Sequence, residues 1–272
     1  MKEESLKLID KHPDSVYVLH EKIERKFSVH HHKKGQLTYV QGGIAYVHIE
    51  ENTYVIPARH YIWIPAKLNH SLQVNYTATA IRNLYFYSTN DADNSFYERM
   101  GIYPVNTLLH EMIVFTEQWN GDIKPTDQAF SFVKAIKTIL PQLGAQHLPI
   151  VLPTTTNERL RPVLFYLRDN VAESLSLRNV SEHFGFSERT LSRLFQSTLS
   201  ISFLQYLKQM RMVKAVELML QTDLTLSQIA FATGYNSLSA FSNTFYQLTQ
   251  MRPSDFARVE SPTKTFPEME GE

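Results

Sequence analysis

One local pattern in this chain occurs twice, and the second copy constrains the rest. Residues 226–245 read LSQIAFATGYNSLSAFSNTF, and residues 177–195 read LRNVSEHFGFSERTLSRLF. Each begins with a short run of apolar residues at helical spacing. Each then reaches a glycine, the residue that turns a chain at no steric cost, and a serine able to cap a second apolar-faced helix. Val180, Gly185, Ser187, Leu191 and Phe195 match Ile229, Gly234, Ser237, Phe241 and Phe245. The offset is 49 residues up to the glycine and 50 after it, because the second copy carries Asn236 as an extra turn residue. Where the second copy places Ala230 for close helix packing, the first has the small polar Ser181. Between the copies, residues 201–221 contain neither proline nor glycine and are rich in Leu, Met and Val. They are expected to form one helix joining two equivalent modules.

Helix, tight glycine turn, helix is the grammar of the helix-turn-helix, whose second helix enters the DNA major groove. A joining helix of about 20 residues spans roughly 30 Å. One turn of B-DNA is ~34 Å, so two recognition helices so joined can enter successive major grooves. The last hundred residues resemble the DNA-binding domain of the AraC/XylS family of bacterial transcription regulators. The resemblance rests on the Gly185 repeat, Arg211 and Ala215, Ile229-Ala230, Gly234-Tyr235, Ser237, Phe241, Phe245 and the closing Arg252-Pro253-Ser254-Asp255-Phe256. It departs where Gln250 and Met251 occupy the neighbourhood of a usual glycine, and where Arg258 stands two residues past Phe256. The resemblance implies promoter DNA as partner, RNA polymerase as a further partner if the chain is an activator, and a homodimer. It also implies which side chains reach base edges: Ser187, Arg189, Thr190, Ser192 and Arg193 in the first module, Ser237, Leu238, Ser239, Ser242 and Asn243 in the second.

Charge makes the modules unequal. The formal net charge is +0, and residues 157–260 carry 11 Lys+Arg against 9 Asp+Glu, so a strong electrostatic footprint on DNA is missing. Arg189 and Arg193, four apart, share a helix face in the first module. The second recognition stretch, residues 237–249, holds no charged residue. The first module is expected to dominate affinity and read guanine through arginine, the second to read A·T pairs through Asn243 and Leu238.

The N-terminal half changes period. Between residues 15 and 87, YVLH, QLTYVQGG, IAYVHI, NTYVIPA, HYIWIPA, HSLQVNY and AIRNLYFY are rich in Val, Ile, Tyr and Thr and are broken by turn residues. This predicts short strands in a sandwich or barrel. From Pro104 the pattern is helical, with expected faces Val105/Leu108/Leu109/Met112/Phe115/Trp119 and Phe130/Val133/Ile136/Ile139/Leu140. The predicted fold is mixed β and α; the family resemblance implies an N-terminal cupin-like β-barrel plus helices followed by an all-α double helix-turn-helix domain. The expected bounds are 1–103 for the barrel, 104–143 for a helical, dimerising segment and 144–156 for a linker. Residues 157–260 are the expected DNA-binding domain and 261–272 a flexible tail.

Strands followed by such a domain are similar to family members carrying a cupin-type sensor for a small-molecule effector. The cupin metal motif has two histidines one residue apart, a carboxylate, a glycine and a later histidine. His30 and His32 fit the pair, Gln36 stands where the carboxylate belongs, Gly43 fits, and His70 follows Pro65. Alternation puts His30 and His32 on one face of a strand. Three imidazoles and an amide oxygen are ligands for a first-row divalent metal. Gln36 lacks the charge of a carboxylate, however, and Lys33 and Lys34 disfavour a cation nearby. The residues leave open a pocket lining for an organic effector, a divalent metal site and a structural role.

The absence of cysteine excludes disulfides, thiol catalysis and cysteine-ligated zinc. The opening MKEESLKLID has no apolar core of a signal peptide, and no run approaches the ~18 apolar residues of a membrane span. A cytoplasmic, non-membrane protein is expected. The leading reading is an effector-responsive transcription regulator, not an enzyme. A metal-dependent cupin enzyme fused to a DNA-binding domain is the alternative, and a constitutive DNA-binding protein with a merely dimerising barrel the plainest one.

Overall fold

A computed structural model describes residues 3–21, 28–50, 52–74, 80–144, 151–249 and 251–260. The expected tail at 261–272, part of the expected linker at 145–150 and Gln250 lie outside the described residues. After a short helix α1 (Glu3–Ile9), all seven strand stretches of the sequence form strands: β1 (Val16–Glu21), β2 (Gly35–Val40), β3 (Ile44–Ile49), β4 (Asn52–Pro57), β5 (His60–Ile64), β6 (Ser71–Val74) and β7 (Ile81–Phe86). Helix α2 (Ser95–Glu98), strand β8 (Gly101–Pro104), helix α3 (Thr107–Phe115), strand β9 (Gly121–Ile123), helix α4 (Phe130–Leu143) and strand β10 (Val151–Pro153) follow.

Two antiparallel sheets result, ordered β8-β5-β2-β7-β1-β9 and β10-β4-β3-β6. Strands β2, β5 and β7 are buried along their whole length. Alternation explains why: both faces are covered. Val16, Val18, Leu37, Tyr39, Tyr61, Trp63, Leu84 and Phe86 meet Leu109 and Ile113 of α3 and Val133, Ile136 and Leu140 of α4 in one core. The intervening residues Val40, Ile62, Ile64 and Ile81 join Ala45, Val47, Ile49, Ile56 and Leu72 of the smaller sheet in another.

Three expectations need correction. Strand structure does not stop at residue 103: β9, inside the segment expected to be helical, pairs with β1. Nor are residues 151–153 free linker, since β10 pairs with the edge strand β4, Val151 opposite Tyr54. An open sheet edge offers unpaired backbone groups to any extended segment that reaches it. Helix α3 buries Leu109 and Ile113, whereas Leu108 and Phe115, expected on its inner face, are 61% and 53% exposed. A nine-residue helix inserts one i,i+4 pair, and Trp119 lies beyond its end.

The remainder is helical: α5 (Arg161–Asp169), α6 (Leu177–His183), α7 (Glu188–Leu199), α8 (Phe203–Gln221), α9 (Leu226–Ala232), α10 (Leu238–Thr249) and α11 (Pro253–Glu260). The duplicated grammar becomes duplicated geometry. Gly185 and Gly234 have φ of +69° and +78°, left-handed values that favour glycine. The next residue in each copy returns its amide to the preceding helix, Phe186 to the Ser181 carbonyl and Tyr235 to the Ala230 carbonyl. Buried Ser181, the polar departure of the first copy, satisfies its hydroxyl on the Arg178 carbonyl at 2.8 Å.

The joining helix α8 starts at Phe203 because Ser202 caps it, in a box closed by Gln205. With most of its apolar residues buried, it serves two cores. Phe203, Tyr206, Leu207 and Met210 pack with α5, α6 and α7. Met212, Val213, Ala215, Val216 and Met219 share a cluster with α9, α10, α11 and barrel residues. Thus α8 packs on β4 and β10 as well as on its own domain. No helix among the described residues is long and apolar enough to cross a membrane.

Candidate functional site

The structure brings His30, His32, Gln36 and His70 together. An antiparallel bridge joins His30 to His70 through two backbone hydrogen bonds of 2.9 Å, and β2 carries Gln36 beneath them. Ring centroids lie 4.5 Å apart for His30 and His70 and 5.1 Å apart for His32 and His70. One nitrogen from each ring falls within 4.8 Å of the others. All four side chains are buried.

Hydrogen bonds define what this cluster presents. Each Nδ1 faces a backbone carbonyl: His30 that of Ser28 at 2.7 Å, His32 that of Lys34 at 2.6 Å, His70 that of Leu68 at 2.9 Å. A carbonyl only accepts, so each Nδ1 carries the proton and, in the neutral ring, each Nε2 presents a lone pair. His30 Nε2 is buried without a hydrogen-bond partner among the described residues. His32 Nε2 and His70 Nε2 face Gln36 Oε1 at 2.8 and 3.1 Å. That oxygen is also an acceptor, because the Gln36 amide NH₂ is spent on Thr38 Oγ1 and Asn83 Oδ1. Burial, then the facing imidazoles, hold the His70 pKa down to about 3, and burial lowers those of His30 and His32. The three rings are therefore neutral near neutral pH. Three imidazole nitrogens oriented by carbonyls behind them are a fitting donor set for a borderline divalent metal, with Gln36 Oε1 as a neutral fourth. They fit equally a ligand that presents N–H or O–H groups.

Thr38, Asn83 and Tyr85 also belong to this site, and the sequence reading missed them. Thr38 donates to Asn83 Oδ1 at 2.8 Å, and Tyr85 stands edge-on to His32 at 5.0 Å. Their signal was period-two spacing from Gln36, together with the register that sets Gln36 opposite Tyr85 and Thr38 opposite Asn83.

On the first recognition helix, α7, Ser187, Arg189, Ser192 and Arg193 are exposed, while Leu191, Phe195 and Leu199 are buried. Thr190 is half-buried, and its amide and hydroxyl are engaged by the Ser187 cap at 3.1 and 2.8 Å. This pair shapes the helix start. Arg159 adds a cation here, its guanidinium 5.2 Å from the ring of Phe186, the residue before the cap. On α10, Ser237, Leu238, Ser239 and Asn243 are exposed and Ser242 is half-buried. Tyr246, 51% exposed and three residues past Asn243, extends this stripe and was missed. The helix α8 between the two spans about 28 Å.

A family model described as an AraC-like ligand binding domain matches residues 12–109, and one described as a helix-turn-helix domain matches residues 180–258. The chain belongs to the AraC/XylS family. It is an AraC-type DNA-binding transcription regulator with a ligand-binding domain. Among curated relatives, the HTH-type transcriptional regulator NimR of Escherichia coli (strain K12) is 25% identical over 217 residues, 80% of this chain and 77% of that one. The uncharacterized HTH-type transcriptional regulator YfiF of Bacillus subtilis (strain 168) is 32% identical over 131 residues, 47% of this chain and 40% of that one. Among solved structures, the C-terminal domain of AraT, a response regulator from Geobacillus stearothermophilus, shares 28% identity. It covers 43% of this chain and 95% of that one, with a TM-score of 0.38.

Two side-chain contacts among the described residues add to the packing of α8 on β4 and β10. The Tyr46 hydroxyl of β3 donates to Glu217 Oε1 of α8 at 2.6 Å. His60 of β5 stacks on Phe256 of α11 with ring centroids 5.9 Å apart, and Phe256 in turn meets Phe245 of α10 at 5.4 Å.

Proposed function

We propose that the site at His30, His32, Gln36 and His70 is the effector site, and that its ligand supplies a cation or hydrogen-bond donors to a cluster made of acceptors. What carries this reading is the convergence of the three Nε2 atoms and Gln36 Oε1, all buried. A divalent metal ion is the second reading, favoured by the three carbonyl-oriented imidazoles. Bound there, it would supply Lewis acidity and a positive centre holding the loop of His30 and His32 to β2. The enzyme alternative additionally needs an open coordination position and an activated water; the regulator names of the relatives favour a sensor.

Occupancy reaches DNA through the barrel's contacts with α8 and α11, shifting the population between docked and released arrangements. DNA is then read by α7 and α10 in successive major grooves. A homodimer is supported by the exposed patch of Leu108 and Phe115, the latter 4.9 Å from Phe132 and 5.7 Å from Trp119 in ring centroids. Sedimentation of a Leu108→Ser, Phe115→Ser variant as monomer beside a wild-type dimer tests this. RNA polymerase is the further partner at any promoter the protein activates.

The deciding experiment measures metal content of the purified chain, then thermal shift with divalent metals and with a panel of amines and polyols. The expected result is a shift that His70→Ala abolishes while DNA binding by the C-terminal half persists. A ligand shift of equal size in His70→Ala would place the effector elsewhere.

A further inference from the structure

Arg211 stands where the two recognition modules meet. Arg211 lies midway along α8, between the residues serving the first core and those serving the second. Its Nη2 donates to the Glu173 carbonyl, in the loop between α5 and α6 of the first module, at 2.9 Å. Its guanidinium carbon stands 5.6 Å from the ring of Tyr235 in the turn of the second module. That turn also closes directly upon it. A Cβ built on Gly234 would come within 2.4 Å of Arg211 Nη2 and 2.7 Å of the Val171 carbonyl oxygen. Gly234 is therefore glycine for two reasons. Its φ of +78° requires the left-handed region, and the approach to Arg211 and Val171 leaves no room for a side chain.

Arginine suits this place and lysine does not. A planar guanidinium can stack on an aromatic ring and donate in its own plane at the same time, whereas an ammonium is a point donor on a flexible stem. Among the described residues Arg211 Nε is buried without a hydrogen-bond partner, so the side chain is held by the Glu173 carbonyl, the Tyr235 face and the Gly234 backbone. A single helix joining two modules fixes their separation along its axis but resists twist and bending only through itself. A second tie, off the axis, fixes the angle as well.

We propose that Arg211 is the positioning residue that sets the angle between the two recognition helices, and so makes this regulator selective for the spacing of its two half-sites. The proposal rests on the reading that α7 and α10 bind successive grooves. It deepens that reading by assigning spacing selectivity to a residue that reaches no base.

The test uses the full chain and a duplex selected by it from a random-sequence library, with variants of that duplex lengthened or shortened by one base pair between the half-sites. One base pair turns the second half-site by about 34° and moves it about 3.4 Å. For the wild type, either change is expected to weaken binding at least about tenfold, as the loss of a good base contact does. For Arg211→Gln, which keeps a donor but loses charge and stacking, the penalty is expected to fall to about threefold or less, with melting temperature monitored alongside. Arg211→Lys, the more conservative change, is expected to restore the melting temperature but not the spacing penalty. Equal weakening on all three spacings, or a full penalty in Arg211→Lys, overturns the proposal and leaves Arg211 a stabilising residue only. Failure of the wild type to select any duplex, or a wild type indifferent to spacing, overturns the two-groove reading itself.

Discussion

Replacing Tyr46 by phenylalanine removes one hydroxyl from the contact between sensor barrel and α8 and leaves the ring in place. That hydroxyl donates at 2.6 Å to Glu217 Oε1, whose other oxygen lies 3.3 Å from Lys214 Nζ, so the acceptor keeps a charged neighbour when the donor goes. A hydrogen bond to a charged group contributes about 1.5–3 kcal/mol when well shielded. Here Glu217 is only half-buried, so solvent screening discounts the figure to about 1–2 kcal/mol. This corresponds to a shift of about five- to thirtyfold in the ratio of docked to released protein. Its sign in DNA binding is read from an internal standard, the fragment of residues 156–272, in which the barrel is absent. Dissociation constants of the full chain, Tyr46→Phe, Glu217→Gln, the double variant and the fragment are compared on one duplex at one salt concentration. Each single variant is expected to move the constant toward the fragment's by the stated factor, and the double variant no further than either. A fragment that differs tenfold or more from the full chain, beside a Tyr46→Phe that binds as wild type, would refute transmission through this contact.

Two further outcomes follow from side chains already placed. Arg193→Ala is expected to cost at least about 1 kcal/mol and to flatten specificity at one base position. Asn243→Ala should cost less and act only in the other groove, so equal losses on one operator would contradict unequal modules. Burial lowers the His60 pKa to about 4, against an ordinary value near 6.5. The folded state thus favours the neutral ring stacked on Phe256. This contribution is fully present above pH 6.5 and lost as pH falls toward 4, at up to about 1.4 kcal/mol per pH unit. The melting temperature should decline across that window less steeply in His60→Asn than in the wild type.

The repeat was legible because each module carries its own signals: a glycine that must turn, a serine that must cap, and apolar residues at helical spacing. Strands β1 to β7 were legible from alternation for the same local reason. What escaped was whatever a distant partner decides. Gly101–Pro104, Gly121–Ile123 and Val151–Pro153 are too short, and too rich in glycine and proline, to announce strands; they become strands because an edge is free to pair with them. The face of α3 was misjudged because its pattern allowed two stripes, and only the packed sheet selects Leu109 and Ile113. The histidines were legible as a set, but the hydrogen-bond directions that make the cluster acceptor-rich come from carbonyls of Ser28, Lys34 and Leu68, on which sequence is silent. Nothing local marks Tyr46 as a docking residue or Arg211 as the meeting point of two modules.

Strand β10 changes how strongly the halves must attract each other. Because residues 151–153 are sewn into the barrel's own sheet, the connection from that sheet to α5 is residues 154–160 alone. Seven residues reach at most about 24 Å when fully extended. A module held on so short a leash samples the barrel surface at an effective concentration on the order of millimolar or higher. Among the described residues, the Tyr46–Glu217 hydrogen bond, the His60–Phe256 stack and the packing of α8 on β4 and β10 would by themselves scarcely join two separate proteins. At that local concentration it can hold the docked form, and a modest signal from the sensor suffices to release it. Any chimera that grafts this DNA-binding half onto another barrel must therefore carry a strand to match β10, or the tether lengthens and the switch loses its set point.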